Sequence, residues 1–119
     1  MITGIGIDLI EVDRILQACQ KETFLKRIYT EQEIAMIHKD RHKAADNFAV
    51  KEAVAKMLGT GFRKLRPIDI EVLRDDLGKP YVKLYGEADR LAKAQGVNSI
   101  HVSITNTKEY ANAFAVGEG

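Results

Sequence analysis

The sequence predicts an α+β fold in a single domain, with an antiparallel sheet packed against helices. Apolar and polar residues alternate with period two near both ends of the chain, and apolar residues recur at helical spacing between those regions. The 119 residues suffice for one hydrophobic core but not for two independent ones. The sequence contains no internal repeat, linker or low-complexity tract. We therefore assign residues 1–119 to one domain whose strands and helices share a core.

The first half of the chain predicts one strand followed by three helices. Residues 2–10 combine glycine with β-branched residues, which is typical of a strand that another backbone approaches closely. Helical spacing follows over residues 10–30 and predicts the first helix. Thr30 and Glu33 have the spacing of a capping box, which predicts the start of the second helix. The third and longest helix is expected from about Ala44 through Leu58.

The second half predicts a hairpin, a short helix and two final strands. The hairpin begins with a half-buried strand, turns through a segment rich in polar residues and returns. Gly96 is expected to close the short helix, because glycine readily adopts the left-handed conformation that ends helices. These elements are expected at residues 68–73 and 81–85 for the hairpin, 87–95 for the helix, and 99–105 and 110–118 for the final strands.

Composition and charge exclude several classes of protein. A formal net charge of +1 argues against broad nucleic-acid binding, which requires many basic residues in excess. The single cysteine, Cys19, cannot form an internal disulfide. No apolar run approaches the length of a membrane span, and the N-terminal residues lack the pattern of a secretory signal. We therefore expect a cytoplasmic protein that binds neither nucleic acid nor membrane.

The helix over residues 44–58 carries the first candidate site. Glu52 and Lys56 stand four residues apart and so lie on one helix face. Most such pairs are exposed ion pairs worth about 0.2–0.5 kcal/mol, and spacing alone does not exclude that interpretation. Gly59 and Gly61 permit a left-handed turn beyond the helix end. Small neighbours also leave room for another backbone, which a solvated face does not need: Ala49, Ala53 and Ala55.

Asp8, near the end of the first strand, is the second candidate. It could face solvent, cap the following helix or bind a metal, and the strand alone does not decide between these roles. The "GIG" before it lacks the third glycine of a dinucleotide-binding fingerprint. Together, Asp8 and Glu52 could hold magnesium, which usually takes one or two protein carboxylates together with water and phosphate oxygens. Lys56 could neutralise the same phosphate, so the residues suggest a site that handles phosphoryl groups.

Four motifs extend along nearly the whole chain: "GIGIDLIEVDRI", "FAVKEAVAKMLGTG", "DIEVLRDDLGKPYVKL" and "HVSITNTKEYANAFAV". With these motifs the chain resembles the holo-[acyl-carrier-protein] synthase family of 4'-phosphopantetheinyl transferases. Four motifs in this order are specific, whereas an isolated "KEA" would not be. The resemblance implies that coenzyme A donates its 4'-phosphopantetheine arm to a serine of apo acyl carrier protein, in fatty acid synthesis. Adenosine 3',5'-bisphosphate is the other product.

The resemblance also implies roles for individual residues. Asp8 and Glu52 match the two magnesium ligands, and Glu52 and Lys56 match the catalytic positions. The general base stays open between Glu52, a water on the metal and a carboxylate of the carrier protein. Two basic residues on the first helical segment, Arg14 and Arg27, match positions that face the acidic carrier protein. The expected coenzyme-binding residues are Lys56, Gly59, Gly78, Lys79, Pro80, Ser103, Thr105 and Asn106.

The resemblance further implies a homotrimer with each active site between two subunits. The chain departs from the family pattern at Asn47, where arginine is frequent, and at Asn106, where histidine is frequent. Both departures remove a potential positive charge from the region expected to bind coenzyme phosphates, so we expect altered phosphate affinity. They also give weight to an alternative function, a non-catalytic module that binds coenzyme A.

Overall fold

The computed structural model describes all 119 residues. It contains five strands, five α-helices and two short 3₁₀ helices, at Gly61–Arg63 and Pro67–Asp69. The strands and α-helices are β1 (Ile2–Glu11), α1 (Val12–Ala18), α2 (Glu22–Ile28), α3 (Glu31–Lys39), α4 (His42–Met57), β2 (Ile70–Arg74), β3 (Pro80–Leu84), α5 (Gly86–Ala94), β4 (Ser99–Asn106) and β5 (Tyr110–Glu118). No helix combines the length and the apolar character that crossing a bilayer requires.

The strands form two antiparallel sheets, which confirms the predicted α+β class. The larger sheet has the order β1-β5-β4, and β2 and β3 form a separate hairpin sheet. Within the larger sheet Asp8 of β1 lies opposite Ala113 of β5. Alternation along β1 turns Gly4, Gly6 and Asp8 inward and leaves the intervening apolar residues on the outer face. The position of Asp8 on the inner face is therefore fixed by the register of the sheet.

Helix α4 packs directly on the inner face of β1 and β5, and small residues make this contact close. A Cβ atom added at Gly6 would lie 1.9 Å from the carbonyl oxygen of Ala53, and one added at Gly4 would lie 2.4 Å from that of Met57. The backbones of β1 and α4 thus touch without intervening side chains. The same face of the sheet is lined by three fully buried alanines of β5: Ala111, Ala113 and Ala115.

Several local predictions are confirmed. Thr30 caps α3 as expected, because its hydroxyl accepts from the Glu33 N–H at 3.3 Å while the Glu33 carboxylate accepts from the Thr30 N–H at 3.1 Å. Helix α4 spans His42–Met57, close to the expected range. Gly96 follows α5 with φ of 76°, the left-handed conformation predicted for it.

Two predictions differ from the structure. The single helix expected over residues 10–30 is broken into α1 and α2, because Lys21 adopts extended backbone. The break lets Phe24, Leu25 and Ile28 pack into a second apolar cluster against α3 and α4. The strand expected to begin at residue 68 begins at Ile70, after a 3₁₀ turn.

Strand β2 is also buried on both faces, although its alternating sequence predicted a half-buried strand. Its polar residue Glu71 explains the difference. The Glu71 carboxylate accepts hydrogen bonds from the Thr30 hydroxyl at 2.5 Å and from the Tyr85 hydroxyl at 2.9 Å. Because its charge has protein partners, Glu71 does not need solvent, and the face that it occupies can be covered.

Candidate active site

The crossing of β1 and α4 brings Asp8, Glu52 and Lys56 together. Asp8 lies on the inner face of β1 and is only 9% exposed. The ammonium group of Lys56 donates to Asp8 Oδ1 at 2.9 Å and to the carbonyl oxygen of Ile7 at 3.0 Å. Lys56 itself stays half-exposed, so its charge also faces solvent. Lys56 thus pairs with Asp8 of the neighbouring strand rather than with Glu52 of its own helix.

Glu52 shares this position with Asp8. The pKa of Glu52 lies above its ordinary value, first because the carboxyl group is partly buried and second because the Asp8 charge is close. The two carboxyl groups are therefore close enough to repel each other when both are charged. Asp8 Oδ2 is buried and has no hydrogen-bond partner. Two adjacent carboxylates, one with an unsatisfied oxygen, are costly unless a positive charge lies between them.

These two carboxylates fit a hard divalent cation. Such a cation would satisfy the free Asp8 oxygen and offset the repulsion between the two carboxylates. No group of three or more His, Cys, Asp or Glu residues could hold a metal ion. The protein would therefore supply only two acidic side chains here, which is the donor set expected when phosphate and water oxygens complete the coordination of magnesium.

An apolar pocket of about 530 Å³ adjoins this site. Glu52 lies on its wall, and so does Arg14 of α1, one of the two arginines assigned to partner binding. The Arg27 guanidinium lies 6.0 Å from the ring of Phe24, which also lines the pocket. Arg14 therefore lines the pocket, and Arg27 lies next to one of its lining residues. The other lining residues are Leu9, Ile10, Glu11, Ile15, Ala18, Phe48 and Tyr110.

A separate groove of about 310 Å³ lies between the β2–β3 hairpin and β4, and we call it the nucleotide groove. Five of the predicted coenzyme-binding residues line it: Gly78, Lys79, Pro80, Ser103 and Asn106. Lys43, Asp46, Arg74, Val102 and Ile104 complete the lining. Three of its side chains are cationic and one is acidic, so the groove suits an anionic ligand.

The other predicted coenzyme-binding residues lie outside the nucleotide groove. Lys56 is at the carboxylate site, and Gly59 follows α4 with φ of 87° and with no other atom within 4 Å of an added Cβ. Thr105 is exposed on the same face of β4 as Ser103 but does not line the groove.

Asn106 lines the nucleotide groove, and its amide donates to Asp46 Oδ1 at 2.8 Å.

Asn47 stands where the family frequently has arginine, and the altered phosphate affinity expected from this departure stays a prediction. The Asn47 side chain is fully buried rather than available to a coenzyme phosphate. The amide nitrogen donates to Glu33 Oε2 at 3.0 Å and to the carbonyl oxygen of Val72 at 3.1 Å. The amide oxygen accepts from Arg74 at 2.9 Å. Both amide hydrogens have protein acceptors, so none is left for a ligand.

No sequence pattern predicted the buried ion pair between Lys51 and Glu33, which lies beneath the nucleotide groove. Lys51 Nζ lies 2.8 Å from Glu33 Oε1, and neither side chain is exposed. Lys51 also donates to the carbonyl oxygens of Pro67 and Ile70, which satisfies its remaining donors. Helical spacing indicated only that Lys51 points away from Glu52. Its partner is 18 residues away on another helix, and no local pattern joins the two.

Comparison with known proteins relates this geometry to a family. A family model described as the 4'-phosphopantetheinyl transferase superfamily matches residues 4–115. A holo-[acyl-carrier-protein] synthase of Lachnoclostridium phytofermentans is 62% identical over 118 residues, which cover 99% of this chain and 97% of that protein.

Solved structures give the same relationship. The holo-[acyl-carrier-protein] synthase of Neisseria meningitidis has a TM-score of 0.88 at 32% identity, and the match covers 100% of both chains. The Bacillus anthracis synthase in complex with CoA (3',5'-ADP) has a TM-score of 0.82 at 38% identity, covering 100% of this chain and 98% of that one. The chain therefore belongs to the holo-[acyl-carrier-protein] synthase family of the 4'-phosphopantetheinyl transferase superfamily, as its four motifs predict.

Proposed function

We propose that this protein transfers the 4'-phosphopantetheine arm of coenzyme A to a serine of apo acyl carrier protein, for fatty acid synthesis. The products are holo acyl carrier protein and adenosine 3',5'-bisphosphate. The observation that carries the proposal is the pairing of Asp8 and Glu52 beside Lys56, with one buried carboxylate oxygen lacking a partner. Family membership and the coenzyme in the related Bacillus anthracis structure support the same activity.

The reaction depends on magnesium in this proposal, and Asp8 and Glu52 would hold the ion. When bound, magnesium supplies a positive charge that offsets charge developing on the diphosphate. Lys56 contributes a second positive charge from the protein. Its ammonium group is fixed by Asp8 Oδ1 and the Ile7 carbonyl, so it needs no reorganisation to face a phosphate oxygen.

The remaining chemical task is removal of the serine proton. Glu52 is one candidate for the base, because its carboxylate lies beside Asp8 and Lys56, where the diphosphate is proposed to react. An acidic residue of the carrier protein is another. A carrier protein docked over the apolar pocket beside Glu52 would limit the access of water, which would otherwise compete with serine as the nucleophile.

The carrier protein is proposed to dock over the apolar pocket. Arg14 lines this pocket and Arg27 lies beside its Phe24 wall, so an acidic partner would meet positive charge around an apolar centre. This combination favours orientation by charge and burial by apolar contact. Coenzyme A is proposed to extend from Lys56 and Gly59 towards the nucleotide groove, with Ser103 and Thr105 beside its phosphates.

We also propose that residues 1–119 form one transferase domain that assembles as a cytoplasmic homotrimer. The outer face of β1 and β5 carries large apolar side chains that are 42–62% exposed: Ile5, Ile7, Leu9, Tyr110 and Phe114. A contiguous apolar patch of this kind marks a protein interface. Lys56, Ile5, Ile7 and Phe114 also line one cavity, so a neighbouring subunit on this face would reach the active site.

Incubation with coenzyme A, magnesium and apo acyl carrier protein tests the proposal. Mass spectrometry is expected to show the carrier gaining one phosphopantetheine group, and chromatography is expected to show an equal amount of adenosine 3',5'-bisphosphate. Binding of coenzyme A without any mass gain would instead indicate a non-catalytic binding module. Neither binding nor mass gain would indicate a structural protein, and either of these two results would contradict the proposed activity.

A further inference from the structure

Arg74 is a cationic side chain of the nucleotide groove that neither spacing nor motif assigned to any function. It ends β2 and is half-buried among residues that line the groove. Its guanidinium Nη2 donates to Asn47 Oδ1 at 2.9 Å, and its Nη1 donates to the carbonyl oxygen of Leu73 at 3.3 Å. The guanidinium is therefore held at two points. A side chain restrained in this way loses less conformational freedom when it binds a ligand.

Asn47 is itself immobilised. Its amide nitrogen is held by the Glu33 carboxylate and the Val72 carbonyl, and Glu33 is in turn paired with buried Lys51. The chain of contacts runs from a fully buried ion pair through Asn47 to the groove surface. Asn47 thus presents a fixed acceptor to Arg74, and a short polar side chain there leaves space for the guanidinium.

The charge of Arg74 is not neutralised by a direct ion pair. No carboxylate oxygen lies within 4.0 Å of its nitrogens, and the same is true of Lys79 across the groove. Lys43, the third cation of the groove, lies 3.8 Å from Asp40. The nearby Asp46 carboxylate accepts from Asn106. Planar guanidinium groups with free donors are the protein groups best suited to bind phosphate.

This inference rests on the proposed function, because it names a contact for the proposed substrate. Coenzyme A carries three phosphates: the two of the diphosphate that reacts and a monoester on the ribose 3'-oxygen. The reacting diphosphate must lie at Asp8, Glu52 and Lys56, and none of these residues lines the nucleotide groove. The groove cations are therefore available to the other phosphate. We propose that Arg74 binds the ribose 3'-phosphate of coenzyme A and that Asn47 is the residue that positions Arg74.

Calorimetric titration with coenzyme A and with 3'-dephospho-coenzyme A tests the contact. Arg74→Gln is expected to raise the dissociation constant of coenzyme A by about tenfold to a hundredfold, the usual effect of losing a charged hydrogen bond. The same variant is expected to change the constant for dephospho-coenzyme A by less than about threefold, because that ligand lacks the phosphate. Arg74→Lys is expected to recover part of the preference. Arg90→Gln, which removes an exposed arginine of α5, serves as the matched control and is expected to change neither constant.

The role of Asn47 is tested by a double-mutant cycle. Asn47→Ala is expected to raise the KM for coenzyme A while kcat at saturating coenzyme changes by less than about twofold, because the reacting groups are untouched. Combining it with Arg74→Gln is expected to weaken coenzyme binding no further than Arg74→Gln alone, since both changes remove one contact. A purely structural role would instead lower kcat and would affect both coenzymes equally.

The outcomes separate this inference from the proposed function. Arg74→Gln binding coenzyme A as tightly as the wild type, or losing both coenzymes equally, would overturn the assignment to the ribose phosphate. Additive effects of the two substitutions would overturn the positioning role of Asn47. If Asn47→Ala fails to fold, the Arg74 variants still decide the first assignment. Wild-type protein that binds neither coenzyme would contradict the proposed function itself.

Discussion

Asp8 belongs both to the candidate site and to the packed inner face of β1. Its position on the inner face of β1 follows from the alternation of the strand, yet that face is otherwise occupied by glycine and apolar side chains. One of its oxygens pairs with Lys56 and the other has no partner. A buried carboxylate of this kind is unfavourable for folding alone, because each unsatisfied charged oxygen costs free energy. The cation proposed to bind Asp8 and Glu52 would give this oxygen a partner.

Arg14→Glu tests the proposed carrier surface at the scale of one residue. Reversing the charge at the wall of the apolar pocket is expected to raise the KM for the acidic carrier protein by about tenfold or more at low salt. The affinity for coenzyme A is expected to stay at the wild-type value, because the nucleotide groove is elsewhere. Steady-state kinetics at several salt concentrations measure the effect. A carrier KM that is unchanged across these concentrations would contradict the assignment of Arg14.

Gly6→Ala tests the contact between β1 and α4. The added Cβ would lie 1.9 Å from the Ala53 carbonyl oxygen, so the strand and helix must separate. We expect the free energy of unfolding to fall by about 3 kcal/mol, the upper end of overpacking effects. We also expect a large loss of transfer, because Asp8 and Glu52 move apart. Urea unfolding measures the first effect, with Thr3→Ala on the exposed face of β1 as the control. A variant with wild-type stability and activity would contradict the close packing.

Thr30→Ala tests the start of α3. The Thr30 hydroxyl accepts from the Glu33 N–H and donates to Glu71, so its removal affects both a helix cap and the buried hairpin strand. The expected loss is about 1–2 kcal/mol of unfolding free energy. Thr23→Ala, at an exposed position of α2, makes the same chemical change without these contacts. Equal unfolding midpoints in urea for the two variants would show that the cap contributes nothing.

Local chemistry in the sequence was sufficient for most elements of the fold. Thr30 and Glu33 identified a helix start, and Gly96 identified a helix end, because capping depends on neighbouring residues. Local capping residues could not predict the break between α1 and α2. The apolar spacing continues across it, and the break exists because Phe24 and Leu25 pack against helices distant in sequence. The burial of Glu71 likewise depends on its partner Thr30, 41 residues away.

The outer face of β1 and β5 is proposed to determine how whole molecules assemble. Ile7→Lys places a charge in the centre of the apolar patch on β1 and β5, and we expect it to convert the proposed trimer to monomers. Because each active site is proposed to lie between subunits, transfer is expected to fall by at least about tenfold with the loss of the trimer. Light scattering after size-exclusion chromatography measures the assembly. Leu77→Lys, at the exposed tip of the β2–β3 hairpin, is the control. A trimeric Ile7→Lys variant would contradict the proposed interface.

The residues of the candidate site come from distant parts of the chain. This separation limits how much of the site the sequence could predict. Spacing and motifs identified Asp8, Glu52 and Lys56 separately as candidates. The contact between Lys56 and Asp8 joins residues 48 apart in the chain, so no local pattern contains it. The motif comparison placed Asn47 in the region expected to bind coenzyme phosphates, whereas the structure buries its side chain against Arg74, which lines the groove. Sequence patterns identified the chemical groups, whereas the fold determined their partners.

Magnesium-dependent transfer by Glu52→Gln tests whether Asp8 and Glu52 hold a cation together. The amide has the shape of the carboxylate but is a poor ligand for a hard cation. We expect a variant with the wild-type melting temperature and oligomeric state whose transfer to the carrier is about a hundredfold slower, the scale of losing metal-ion catalysis. Mass spectrometry of the carrier over a magnesium titration measures the rate. Wild-type turnover by Glu52→Gln at limiting magnesium would contradict the claim that Asp8 and Glu52 hold the catalytic cation together.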